Sequence, residues 1–117
     1  MLRIGPGVEV EYKDASLQAL CLQKRKAQKE LGGDCARKLR ARLADLFAVS
    51  NPTELVAGRP HPLKGNREGW FSVSLNKKVR LCFEPAEQPW PRMPDGGIAW
   101  AAVDRVVVVW VGDYHDE

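Results

Sequence analysis

The stretch Trp70-Phe-Ser-Val-Ser-Leu-Asn-Lys-Lys-Val-Arg-Leu-Cys-Phe-Glu84 decides the fold. Phe71, Val73 and Leu75 alternate with polar residues, and so do Val79, Leu81 and Phe83, the period of two residues expected of half-buried strands. Residues opposed across an antiparallel pair point to the same face. Both apolar sets reach one face only if Leu75 opposes Val79, which leaves Asn76-Lys77-Lys78 as a three-residue loop, a common hairpin length. That register puts Ser72 opposite Cys82 and Ser74 opposite Arg80 on the other, polar face. A two-residue loop would scatter the apolar residues over both faces.

Working outward, residues 103–115 read VDRVVVVWVGDYH. Four consecutive valines followed by Trp110 and Val111 suit a strand covered on both faces, in the middle of a sheet. Upstream, VEVEYKD (8–14) alternates as a short strand with one wet face. From Asp14, an N-cap candidate, the apolar spacing turns helical through Leu17, Leu20, Cys21, Ala27 and Leu31, and Gly32-Gly33 ends that helix. Asp34 is expected to cap a second helix with Cys35, Leu39, Leu43, Leu46 and Phe47 on its apolar stripe. So short a turn makes the two an antiparallel helical hairpin. Three prolines and a glycine then interrupt residues 50–62, with room for one helical turn over 52–56. The proline-rich segment 85–97 is expected to be an irregular surface loop. The sum is an α+β fold, a small, mainly antiparallel β-sheet with an α-helical hairpin packed on one face.

The 117 residues are enough for a single domain (1–117) and too few for two cores. Lys and Arg outnumber Asp and Glu by 18 to 15, a net +3 that does not by itself argue for nucleic acid. The distribution is more informative, because residues 24–42 hold eight cations and only Glu30 and Asp34 in opposition. That stretch is either the solvated face of two helices or a surface for phosphate or an acidic partner. Cys21, Cys35 and Cys82 are too few and too irregular for a disulfide framework and read as buried thiols. The first ten residues are too short and too broken for a signal peptide, and no run reaches the length of a membrane span, so a cytoplasmic protein is expected, with no membrane partner. Two histidines 54 positions apart match no zinc spacing, so no metal and no cofactor is expected. P-loop, dinucleotide and GxSxG motifs are absent.

The polar face of the sheet offers Ser72, Ser74 and Arg80, with His61 and Lys64 leading into the hairpin and Asp113, Tyr114 and His115 leaving the last strand. Singly each has a structural reading: a loop histidine, a solvated lysine, an arginine paired with Glu84. Together they suit metal-free cleavage of an RNA phosphodiester. That reaction needs a base for the ribose 2′-OH, an acid for the 5′-oxygen and cations for the charge gathering on phosphorus.

HPLKGNREGWFSVSLNKKVRLCFE (61–84), then a Gly/Pro-rich interruption, then a hydrophobic strand ending in DYH resembles the HigB branch of the RelE/ParE toxin superfamily. Those proteins are the toxin halves of bacterial type II toxin–antitoxin modules. The likeness is dense over 61–84 and 103–115 and loose over the helices. It implies a translation-inhibiting mRNA endoribonuclease (an mRNA interferase, one of the hydrolases) that works on the ribosome, arrests growth and is neutralised by a cognate antitoxin, a small helix-turn-helix DNA-binding protein. The catalytic set it implies is His61, Lys64, Arg80, Asp113, Tyr114 and His115, with Arg67, Lys77 and Lys78 as further RNA contacts. His61 and His115 would share the proton transfers, Lys64 and Arg80 would hold the scissile phosphate, and Tyr114 would orient the base or ribose. Asp113 would orient a neighbouring cation or histidine. Two other readings share the fold: a ParE-like DNA gyrase inhibitor, and an inactive domain that retains antitoxin binding. The basic hairpin 24–42 is a docking candidate for antitoxin or ribosomal RNA.

Overall fold

The structure is a computed structural model and describes residues 7–113. Strand β1 (Glu9–Tyr12) is followed by helices α1 (Ala15–Leu22), α2 (Lys24–Leu31) and α3 (Gly33–Ala48). Strands β2 (His61–Pro62), β3 (Phe71–Ser74), β4 (Arg80–Pro85) and β5 (Arg105–Gly112) complete the fold, with short 3₁₀ turns at Pro52–Glu54, Gly65–Arg67 and Trp100–Ala102. The strands form one sheet in the order β1-β5-β4-β3-β2. Only β1 and β5 run parallel, so the sheet is mixed and mainly antiparallel, with the helices on one face. This is the α+β architecture expected from the sequence.

The β3–β4 register is also the expected one. Ser72 opposes Cys82 and Ser74 opposes Arg80, and the Leu75 N–H donates to the Val79 carbonyl at 2.9 Å. Asn76 closes the loop, its Oδ1 accepting from the backbone N–H groups of Lys78 and Val79 at 2.8 and 2.7 Å. A short polar side chain that bonds the backbone ahead of it in this way selects the turn. Strand β5 lies between β1 and β4, and a register shift opposite Cys82/Phe83 leaves Val109 as an extra residue. The bulge changes the alternation, so Val106, Val108 and Val111 all pack into the helix-side core while Trp110 shares the face of Cys82.

The helices differ from the expectation in two places. The first helix is broken at Gln23, whose backbone is extended (φ −103°, ψ 109°). The break lets α1 lie on β1 and β5 while α2 packs on α3. Asp14 is the N-cap, its Oδ1 accepting from the Leu17 N–H at 2.8 Å. Asp34 does not cap the last helix. Gly32 takes that position with φ 86°, a conformation that favours glycine, and Asp34 sits in the first turn, ion-paired with Arg37.

The core between helices and sheet has two parts. One gathers Leu20, Ala36, Leu39, Leu43 and Leu81 around Val108. The other is aromatic: Phe71 stacks on Phe83 with centroids 5.4 Å apart, and the edge of Trp100 meets Phe71 at 5.0 Å. Loop 86–99 is anchored beside this cluster by Trp90, whose indole lies over Gly69. A Cβ built on Gly69 would fall 2.4 Å from the ring, and φ there is +95°. Among the described residues no helix is long and apolar enough to cross a membrane.

Candidate functional site

The face of the sheet away from the helices is ordered by the strand register. His61 opposes Ser72, Ser72 opposes Cys82, and Cys82 opposes Trp110, which makes one row across four strands. Ser74, Arg80 and Gly112 make the next row. His61 and Arg80 therefore share a face, two strand spacings apart and two residues along, roughly 12 Å between Cα atoms. Asp113 follows Gly112 directly. Tyr114 and His115 lie outside the described residues.

This face is less open than the alternation suggests. Ser72 and Cys82 are fully buried, because aromatic residues reach over the sheet from neighbouring positions. Trp70 and Trp110 meet on this side with centroids 6.2 Å apart, and the Arg67 guanidinium lies 5.7 Å from the Trp70 ring centre. Burial also raises the Glu84 carboxyl, opposed by the charge of Lys13 and by a hydrogen bond donated from the Trp70 indole. The polar surface left for chemistry is thus His61 and Ser74 with Arg80, rather than a wet serine row.

His61 is exposed, and its Nδ1 lies 2.7 Å from the Arg59 carbonyl oxygen. A carbonyl can only accept, so Nδ1 carries the hydrogen. In the neutral ring Nε2 then presents a lone pair, the tautomer a general base requires. Arg59 holds this carbonyl in place from a left-handed backbone, φ 51°, a conformation that side chains other than glycine seldom adopt.

Arg80 turns along the sheet, its Nη1 donating to the Asn76 carbonyl at 2.9 Å. There it lines a groove of about 390 Å³ with Lys38, Arg42, Gly58, Arg59, Ser74 and Lys77. Lys64 is placed differently. It lines a separate recess of about 290 Å³ with Pro62, Glu68, Ile98 and Trp100, at the edge where Trp100 packs on Phe71. Lys78 is exposed in the β3–β4 loop, and Arg67 belongs to the aromatic side of the face. Lys38, Arg42 and Arg59 did not enter the sequence-derived site. The spacing of Lys38 and Arg42, one helical turn apart on α3, is a signal that places them on one face; Arg59 has none.

Burial pushes the Cys82 thiol up to about 11, against a Ser72 hydrogen bond and the charges of Arg67 and Arg80, and burial pushes Cys21 up to about 12. Cys35 is raised for the same reason. In the folded protein the thiols are protonated at neutral pH and poor nucleophiles. Iodoacetamide at mildly alkaline pH is expected to leave all three unmodified until denaturant is added, read by intact mass; labelling of the native protein would contradict this. The unfolded thiols ionise near the ordinary 9.0 while the native ones retain their protons to about 11 and 12. Stability from this source is therefore complete below about pH 9 and is lost as pH rises through the native values.

No protein-family model matches the sequence, and a search of curated proteins finds no match. Solved structures do match. A YoeB/ParE toxin from Agrobacterium tumefaciens superposes with a TM-score of 0.58 at 12% identity, over 92% of this chain and 99% of that one. The YoeB-YefM complex from Staphylococcus aureus gives 0.57 at 14% identity, over 92% and 97%. The fold is that of these toxins. The superposition spans nearly the whole of each neighbour, so the helices and the sheet that carries His61 and Arg80 are shared architecture rather than local likeness.

Proposed function

We propose that this protein is the toxin of a type II toxin–antitoxin module, of the HigB branch, and that it is a metal-independent endoribonuclease that cuts mRNA on the ribosome. The observation that carries this reading is His61 held by the Arg59 carbonyl with Nε2 as its basic nitrogen, on the sheet face that also carries Arg80. The toxin fold and the HPLKG…R…DYH pattern support it.

In this mechanism His61 Nε2 accepts the proton of the ribose 2′-OH. The 2′-oxygen forms a bond to phosphorus and the P–O5′ bond breaks, leaving a 2′,3′-cyclic phosphate. His115 gives a proton to the departing 5′-oxygen. Arg80 offsets charge on the phosphorane, where a guanidinium has the right planar geometry, and Lys64 adds positive field from its separate recess. Tyr114 orients the base or ribose, and Asp113 orients a neighbouring cation or histidine. Arg67, Lys77 and Lys78 add RNA contacts. Removing one such donor from a developing oxyanion typically costs about 10²–10³ in rate. Arg80→Ala is expected to lose that much cleavage, measured by primer extension, and an unchanged rate would remove Arg80 from the site.

A cognate helix-turn-helix antitoxin would restrain the toxin, and the basic hairpin 24–42 is available to it. Induced expression in growing cells tests the function. The expected result is loss of full-length mRNA with unchanged DNA supercoiling. Altered supercoiling with intact mRNA would instead support gyrase inhibition, and neither change would support an inactive antitoxin-binding domain.

A further inference from the structure

We propose that the groove between α3 and the β3–β4 loop is a track for the backbone of single-stranded RNA, taking phosphates next to the one cut at His61 and Arg80. This rests on the nuclease reading and adds Lys38, Arg42 and Arg59 to the RNA-binding surface.

The groove is lined by five cations, Lys38, Arg42, Arg59, Lys77 and Arg80, and no carboxylate is among its lining residues. Asp45 lies 3.2 Å from the Arg42 Nε. Among the described residues no carboxylate pairs with Lys38, Arg59 or Lys77. Like charges gathered in one groove repel, and such a concentration of field suits a polyanion whose bound counterions are released on contact.

Arg59 ties the groove to the imidazole. Holding a residue other than glycine in the left-handed region is strained, and neighbouring bonds fix Arg59 there. The Ser74 N–H donates to the Gly58 carbonyl at 2.7 Å, and His61 bonds the Arg59 carbonyl at 2.7 Å. Glycine would occupy this backbone without strain. Arginine at this position instead adds a cation to the lining of the groove while its own carbonyl orients His61. A strand passing from Arg59 to Arg80 would meet phosphate ligands beside the base.

The lining also favours RNA over a protein segment. Leu75 is its one large apolar side chain, and protein interfaces draw most of their energy from buried apolar or aromatic anchors. Arginine forks and lysine ammonium groups match phosphates directly.

The test is binding of a short single-stranded 2′-O-methyl oligonucleotide, which lacks the nucleophilic hydroxyl, to the full chain by fluorescence anisotropy over a salt series. The Lys38→Ala/Arg59→Gly double variant is expected to bind at least about tenfold more weakly at low salt. Its log K against log salt slope should be shallower by about 0.7 for each cation removed. Thermal unfolding should be no lower than wild type for Arg59→Gly alone, because the backbone strain is relieved. Wild-type affinity and slope in the double variant would overturn the proposal. So would a polyglutamate peptide that outcompetes an oligonucleotide of equal charge, since the groove would then take an acidic protein segment. Cleavage in a translating extract is read separately: its absence in the wild type, with groove-dependent binding intact, would sink the nuclease reading and leave the track standing.

Discussion

If the proposed nuclease reading holds, His61→Ala is expected to lower RNA cleavage by about 10²–10⁴-fold, the usual contribution of a positioned general base, and to leave thermal unfolding close to wild type. The two halves of this expectation come from the same geometry. The His61 side chain is exposed on a two-residue edge strand, and its described hydrogen bond is to the neighbouring Arg59 carbonyl. Its removal opens no cavity. In the proposed reaction, the bond that fixes Nδ1–H leaves the Nε2 lone pair to face the ribose. Single-turnover cleavage measured beside a thermal melt separates the two effects. A variant that cuts as fast as wild type would show that another group takes the proton, and a large fall in melting temperature would make His61 structural.

Phe83→Ala is expected to destabilise the fold by about 3–5 kcal/mol, enough to lower the melting temperature by more than about 10 °C. Phe83 is fully buried on β4, stacked on Phe71 at 5.4 Å, with the Trp100 ring 6.2 Å away. Truncation leaves a cavity whose walls are rigid: two aromatic rings and the centre of a paired strand. The same strand carries Arg80, so activity should fall in step with the folded fraction. Urea melts of the variant give the number. A loss below about 1 kcal/mol would mean that the aromatic cluster collapses to fill the space.

The parts of the fold that could be read from sequence were those where a side-chain period admits one solution. The hairpin is such a case, because only Leu75 opposite Val79 gathers Phe71, Val73, Leu81 and Phe83 on one face, and the same register placed Ser74 beside Arg80. The valine run likewise marked β5 as an inner strand. The bulge at Val109 was hidden, since an unbroken apolar run does not reveal a change of alternation. The break at Gln23 was hidden too, because the apolar spacing continues through it and only the packing of α1 on the sheet and α2 on α3 requires a turn. Asp34 has the chemistry of a cap, and Gly32 took the position by virtue of its backbone freedom.

The candidate site divides in the same way. His61 and Arg80 on one face follow from strand pairing. The burial of Ser72 does not, because it depends on Trp70 and Trp110 meeting across the sheet. Lys64 enters a different recess because the chain leaves β2 for a 3₁₀ turn before β3. Nothing local in Gly-Arg-Pro-His announces that Arg59 adopts a positive φ and turns its carbonyl to His61.

The decisive measurement is the mapping of RNA 5′ ends in a translating extract, with ribosomes present and with ribosomes removed, for the wild-type protein and His61→Ala. A nuclease built around this imidazole gives discrete new ends within coding sequence, upstream fragments that end in a 2′,3′-cyclic phosphate, no such ends without ribosomes, and almost none with the variant. Full-length mRNA throughout, or the same cleavage pattern from wild type and His61→Ala, would contradict it.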